Sequence, residues 1–286
     1  MICPFAAGGG GDNAARVLAA SLEKELGVPI QVLNKAGAGG QVGHAELANA
    51  KPDGYTLLYS SMPQNIGVYL DPERKAGYDR QSFTAIAMHA YDPDAITVKG
   101  DSKYKTVKDL VDAAKASPEK IKFAVMGRGD PSHLALIQLE QAAGVKFASV
   151  IIDGGAPCIT ALMGGHVDAI CTAISPQLPQ IKAEELRPLA LLQEDKNPFA
   201  PDVPTMKSQG YNINWAIYRS VMAPAGVPKD VVDVLNGAIK RAMETEDHKK
   251  RLQDMSQLPF FMDSERFSAY WDQMEATMKP MMDLIK

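Results

Sequence analysis

This chain is short of the features that mark nucleic-acid, membrane, metal or disulfide chemistry. Only three cysteines occur in 286 residues, Cys3, Cys158 and Cys171, with no C-x-x-C spacing, which excludes a disulfide framework and a zinc-cysteine cluster. The apolar contexts of Cys158, in an expected helix, and Cys171, in an expected strand, mark them as buried free thiols, compatible with an oxidising compartment. No basic tract exists: 30 Lys plus Arg against 34 Asp plus Glu give a net charge of -4 with both signs interspersed, which argues against nucleic acid or an anionic membrane surface as partner. No apolar run approaches the roughly 20 residues that span a bilayer. No signal peptide precedes the first motif, so the chain reads as mature or trimmed, with residues 1–5 as the tail of a strand whose beginning is missing. The five histidines form no H-x-x-x-H pair, no Lys follows the glycines as in a phosphate loop, and G-x-S-x-G is missing. Neither a metal nor a cofactor is expected.

What stands out is PFAAGGGGDNAAR at residues 4–16, an apolar strand end and four consecutive glycines, Gly8 to Gly11, running into an amphipathic helix. Glycines let the backbone turn tightly with its amides exposed, and the helix start behind them carries partial positive charge. A small anion can be held there by backbone alone, with Ala7, Gly8, Gly9 and Gly10 as donors. Asp12 reads as the N-cap of the helix, since a carboxylate beside an anion would repel it; the alternative is contact with a ligand ammonium.

Short apolar runs at 30–34, 55–60, 121–125, 149–152, 167–172 and 188–192 alternate with helical periodicity near 12–26, 40–50, 106–116, 132–143, 155–164 and 228–245. The expected fold is α/β with mainly parallel strands flanked by helices. Two stretches, 91–101 and 214–226, look like crossings between lobes. One lobe is then 1–96 plus 221–286 and the other 97–220, and clefts between such lobes bind ligands at the carboxyl ends of strands. Ser60 and Ser61 end one strand and are either hydrogen-bonding candidates or a simple turn.

Several motifs in order resemble the periplasmic substrate-binding proteins of tripartite tricarboxylate transporters, the Bug family. Pro4 to Arg16 is similar to PFPAGGGTD-x-x-AR, with Ala6 for Pro and Gly11 for Thr. Asn34, Gly37 to Gly40 and Gly43 match N-x-x-GAGG-x-x-G, and Pro52 to Leu58 is PDGYTLL. Gly127 to Leu134 resembles GNG-x-x-SHL, Gly154 to Asp168 GGAPALTDLLGGQVD, Pro201 to Thr205 PDVPT, and Met222 to Pro228 LAPAGTP. The resemblance covers essentially the whole chain. It implies a two-lobed, hinged Venus-flytrap fold, monomeric and extracytoplasmic, that captures a small organic carboxylate and delivers it to integral membrane transporter subunits. It also implies that the glycine loop and second-lobe loops hold the carboxylate, which adds Gly127, Arg128, Asp130, Ser132, His133, Gly155, Ala156 and Thr172 as binding candidates.

Departures from the family pattern leave the ligand open. Arg128 and Asp130 stand where Asn and Ser or Thr are usual, Val125 where Ser is frequent, residues 151–153 replace PYK, and Cys171-Thr172-Ala173 replaces F-D-N. Tyr218-Arg219-Ser220 resembles the W-R-G of some members, so Arg219, beside Tyr218, is expected to pair with a distal carboxylate. Arg128 has three readings: cleft contact, a solvated side chain, or an ion pair with Asp130. His133 either braces its loop or meets the ligand. Adjacent Ser132 and His133 invite a hydrolase reading, which the missing nucleophile motif disfavours, and a periplasmic sensor reporting the same ligand is compatible with the same residues.

Overall fold

The computed structural model describes residues 1–285, and by internal contacts the chain divides into two units. Unit 1 holds Met1–Tyr91 and Tyr218–Asp283; unit 2 holds Asp92–Ile217 and residues from Leu284 onward.

In chain order the first unit supplies β1 (Ile2–Cys3), α1 (Gly10–Leu26), β2 (Leu33–Asn34), α2 (Gln41–Ala48), β3 (Leu58–Met62) and α3 (Gln64–Leu70). β4 (Phe83–Lys99) begins in unit 1 and ends in unit 2, which continues with α4 (Val107–Ala116), β5 (Lys122–Val125), α5 (Pro131–Ala143) and β6 (Ala148–Ile151). α6 (Gly155–Met163), β7 (Ala169–Ala173), α7 (Leu178–Lys182) and β8 (Leu186–Leu191) follow. β9 (Ala216–Pro224) leads back to α8 (Lys229–Glu244), α9 (Glu246–Asp254), β10 (Leu258–Met262) and α10 (Ser264–Met282).

Local signals account for most of these elements. α1 places Ala14, Ala15, Leu18 and Leu22, all buried, at helical spacing against Cys3, Tyr59 and Val221, each leucine contributing about 1.5–3 kcal/mol by burial. It ends at Gly27, whose left-handed φ of 68° lets its amide reach Glu23 O at 3.0 Å. α4 opens on a reciprocal Thr106–Asp109 capping box. α5 opens on Asp130 as N-cap with Pro131 in the first turn, where its missing N–H costs nothing.

The unit 1 sheet runs β2-β1-β3-β9-β4-β10, with β1 parallel to β2 and β3, and with β9 and β10 antiparallel to their partners β3 and β4. In unit 2, β6-β5-β7 are parallel, and the second half of β4 joins antiparallel between β7 and β8. The parallel cores are the strand-helix units of the sequence reading; the antiparallel pairs come from strands that carry the chain between units. The stretch 91–101, which reads as a crossing, contains the step from Tyr91 in unit 1 to Asp92 in unit 2, and the chain makes it inside one continuous strand of 17 residues. Ladder partners change there: Tyr91 pairs Leu258 and Asp94 pairs Ala173. Pro93, which cannot donate to a ladder, falls at the step between them.

Candidate functional site

In unit 1, the loop after β1 meets the end of β3 and the middle of β9. The N-cap of α1 is Gly9, with no side-chain cap, so the amides of Gly10, Gly11 and Asp12 form a first turn without intrahelical acceptors, a ready anion site. Two other loop amides are spent internally: Gly9 N–H donates to Ala6 O at 3.3 Å and Gly8 N–H to Asp12 Oδ2 at 2.8 Å. Asp12 is therefore not the helix cap it was expected to be. It lies in the first turn and folds back as a clasp, accepting from Gly8, from Asn34 Nδ2 at 2.8 Å and from Arg16 Nε at 3.1 Å. Burial pushes its carboxyl up, but those bonds outweigh burial and hold it below the usual carboxylate range. Asn34, which was not among the binding candidates, ties the loop twice, since its Nδ2 also donates to Phe5 O at 3.0 Å. Its place at the head of the N-x-x-GAGG motif was the available signal.

Arg219 is the unusual group. It is only 7% exposed. Its Nη1 donates to Ser61 Oγ at 2.5 Å, its guanidinium carbon lies 5.5 Å from the centre of the Phe5 ring, and its Nε has no partner. No carboxylate pairs with it among the described residues. The Phe5 ring beneath it also explains Gly11, where a Cβ would come within 2.5 Å of Phe5 Cδ2.

The pleat separates residues that the sequence had grouped. Ser61 is cross-strand from Arg219, and Ser60 from Ser220, so Ser61 and Arg219 share one face while Ser60 and Tyr218 take the other. Ser60 Oγ is bound to His44 Nε2 at 2.7 Å, and His44 Nδ1 meets Gly40 O at 2.8 Å. Because Gly40 O can only accept, His44 carries its proton on Nδ1 and Ser60 donates to Nε2. Burial lowers His44 to about 4, so the imidazole is neutral. Tyr218 packs in an aromatic cluster with Tyr91, Phe260 and Tyr270. Neither Ser60 nor Tyr218 joins Arg219.

Unit 2 gathers its own candidates at the carboxyl ends of β5, β6 and β7. Ser132 accepts from Met126 N–H at 2.8 Å and donates to Asp130 Oδ1 at 2.7 Å. Asp130 also takes the His133 amide at 3.0 Å as N-cap of α5. His133 Nδ1 accepts from Gly129 N–H at 3.2 Å, bracing the loop and leaving Nε2 as its protonated nitrogen; burial and then the Arg128 charge lower its pKa, partly opposed by Glu140. Arg128 donates to Ile285 O at 3.2 Å. A Cβ on Gly155 would sit 3.6 Å from Met126 Sδ and 3.9 Å from Thr172 Cβ, so the 126–132 loop, the start of α6 and Thr172 adjoin. The Thr172 hydroxyl is buried, accepts from Gln177 Nε2 at 2.9 Å and donates to Ala173 O at 3.5 Å, which makes Thr172 a wall rather than a free donor. Gly127, Gly155 and Ala156 remain as backbone candidates. No hydrogen bond joins Ser132 to His133 among the described residues, so the serine has no imidazole partner, and its proton is held by the Asp130 carboxylate that caps α5.

A fold of two α/β units with glycine-lined helix starts at strand ends is that of periplasmic solute-binding proteins. The family model described as tripartite tricarboxylate transporter family receptor matches residues 14–286, and the chain belongs to this family. Protein BugT of Bordetella pertussis is 32% identical over 86% of this chain and 76% of its own length. Among solved structures, the periplasmic binding protein BugD is 30% identical with a TM-score of 0.84, covering 100% of this chain and 96% of its own. MatC from Rhodopseudomonas palustris with bound malate is 27% identical with a TM-score of 0.83, covering 100% and 98%.

Proposed function

We propose that this chain is the extracytoplasmic receptor of a tripartite tricarboxylate-type transporter, binding a small organic carboxylate without making or breaking a bond and handing it to integral membrane subunits. The observation that carries the reading is Arg219. A buried guanidinium without a carboxylate is costly, and a site that maintains one is waiting for an anion. The first-turn amides of α1 supply a second, backbone attraction of about 0.3–2 kcal/mol. Micromolar binding requires about 8 kcal/mol, so several donors must act together, and a ligand with two carboxylates answers both the helix start and the guanidinium. The malate-bound relative supports that ligand class. The occupied hydroxyl of Ser132 speaks against a hydrolase.

A thermal-shift screen over mono-, di- and tricarboxylates tests the proposal. A true ligand at about 100 times its Kd adds about 2.7 kcal/mol to native stability. A flat response to every carboxylate would refute it.

A further inference from the structure

Inside unit 1, four buried side chains from four elements are linked in series. Ser21 on α1 meets His248 Nδ1 on α9 at 2.9 Å, His248 Nε2 meets His89 Nε2 on β4 at 2.8 Å, and His89 Nδ1 meets the Tyr59 hydroxyl on β3 at 2.8 Å. We infer that this is a one-way hydrogen-bonded chain, full of protons when both imidazoles are neutral, which latches α9 to the sheet and opens in acid.

The direction follows from counting protons. The Ser21 hydroxyl donates to Val17 O at 3.1 Å, so Ser21 accepts from His248 Nδ1–H. A neutral His248 then has a bare Nε2, which accepts from His89 Nε2–H. His89 Nδ1 is bare in turn and accepts from Tyr59 O–H. Every donor has an acceptor. In the reverse direction Ser21 would abandon Val17, and the Tyr59 hydroxyl, inside the core, would lose its acceptor, a loss that buried polar groups avoid.

An extra proton fits nowhere in this chain. On His248 Nε2 it would face His89 Nε2–H across 2.8 Å, two donors opposed. On His89 Nδ1 it would turn the Tyr59 proton away from its acceptor. The surrounding charges do not rescue it. His89 feels the repulsion of His248 and Arg219; His248 feels Asp247, which favours a charge, and Arg251, which opposes it, while Lys24 from α1 already engages Asp247 at 3.3 Å. Cys3 and Arg219 are the groups near Tyr59. Burial lowers His248 to about 4 and His89 well below its ordinary value. With α9 detached, each imidazole titrates near 6.5. The opened state therefore binds more protons below pH 6.5, and the latch is intact above that value and weakened as pH falls towards 4.

Two measurements on the whole protein test this. Nitrogen-15 NMR of the imidazoles at neutral pH should show the Nδ1–H tautomer for His248 and the Nε2–H tautomer for His89. The opposite pair, or a charged ring at either site, overturns the assignment without any mutation. Hydrogen exchange of the α9 amides, corrected for intrinsic rates, should then show opening that rises at least about 10-fold per pH unit between 6 and 4.5, and His248→Gln should flatten that slope while His166→Gln, on the surface, leaves it. An α9 opening independent of pH in the unmutated protein sinks the latch.

Discussion

Replacing Arg219 by Met removes the buried charge while keeping most of the side chain's volume. The structure assigns two consequences of opposite sign. Nη1 is committed to Ser61, leaving the Nε edge of the guanidinium for a carboxylate, and a charge-assisted hydrogen bond contributes about 1.5–3 kcal/mol. At 1.4 kcal/mol per decade, a dicarboxylate should bind about 10- to 150-fold more weakly, and a matched monocarboxylate should lose much less. The empty protein should be no less stable, because the substitution relieves a buried cation with no counter-charge, a cost of several kcal/mol, against a loss of about 2 kcal/mol for the desolvated contact with Phe5. Calorimetry of both ligands against both proteins, with denaturant melts of the ligand-free forms, gives all six quantities. Equal losses for the two ligands would remove Arg219 from carboxylate recognition. A large loss of empty-state stability would mean that the guanidinium is compensated in the resting protein, and the argument from an uncompensated charge would fail.

Gly11→Thr installs the residue usual in the family motif, but its Cβ would press on Phe5 at 2.5 Å; overpacking should cost about 1–3 kcal/mol in a denaturant melt, and an unchanged midpoint would show that Phe5 moves freely. Asp12→Asn should loosen the glycine loop by about 1–3 kcal/mol. Because the Asp12 carboxyl is held below its ordinary value, the clasp is whole above pH 4 and lost as pH falls through its folded pKa, so the unmutated protein should lose stability there and the variant should lose less. Cys3, Cys158 and Cys171 are all buried, and burial raises Cys158 to about 12; a thiol reagent should label none in the native protein and three after denaturation, and rapid native labelling would contradict the packing. Ser132→Ala should destabilise the 126–132 loop without removing any turnover, since none is expected; hydrolysis that disappears with Ser132 would refute the receptor reading.

Much of the architecture was legible because strand and helix periods are local. The α1, α4 and α5 segments carry their own stop and start residues, and the alternation of apolar runs with amphipathic ones is that of strand-helix units. The 83–99 strand was not, because DPD at 92–94 has the composition of a turn and only the change of ladder partner keeps it extended. The sequence offered candidate site residues, and their geometry was illegible. Neighbours in sequence, Ser60 with Ser61 and Tyr218 with Arg219, are separated by the pleat, while Phe5, Asn34, Ser61 and Arg219 converge from four parts of the chain. His89 and His248 lie 159 residues apart, and no local pattern foretells their contact.

The Asp12 clasp bears on how fast a cargo can leave. Its carboxylate is 2% exposed, whereas its partner Arg16 is 50% exposed, so water screens the cation far more than the anion. A residual negative potential thus persists beside the first-turn amides of α1, and it would take back part of the attraction that the helix start offers to the proposed carboxylate. Under the proposed function, a carboxylate associating at about 10⁶–10⁷ M⁻¹s⁻¹ with a dissociation constant of about 1 μM would leave at about 1–10 per second. On the proposed reading, the same carboxylate that shapes the loop would also keep it from becoming a trap.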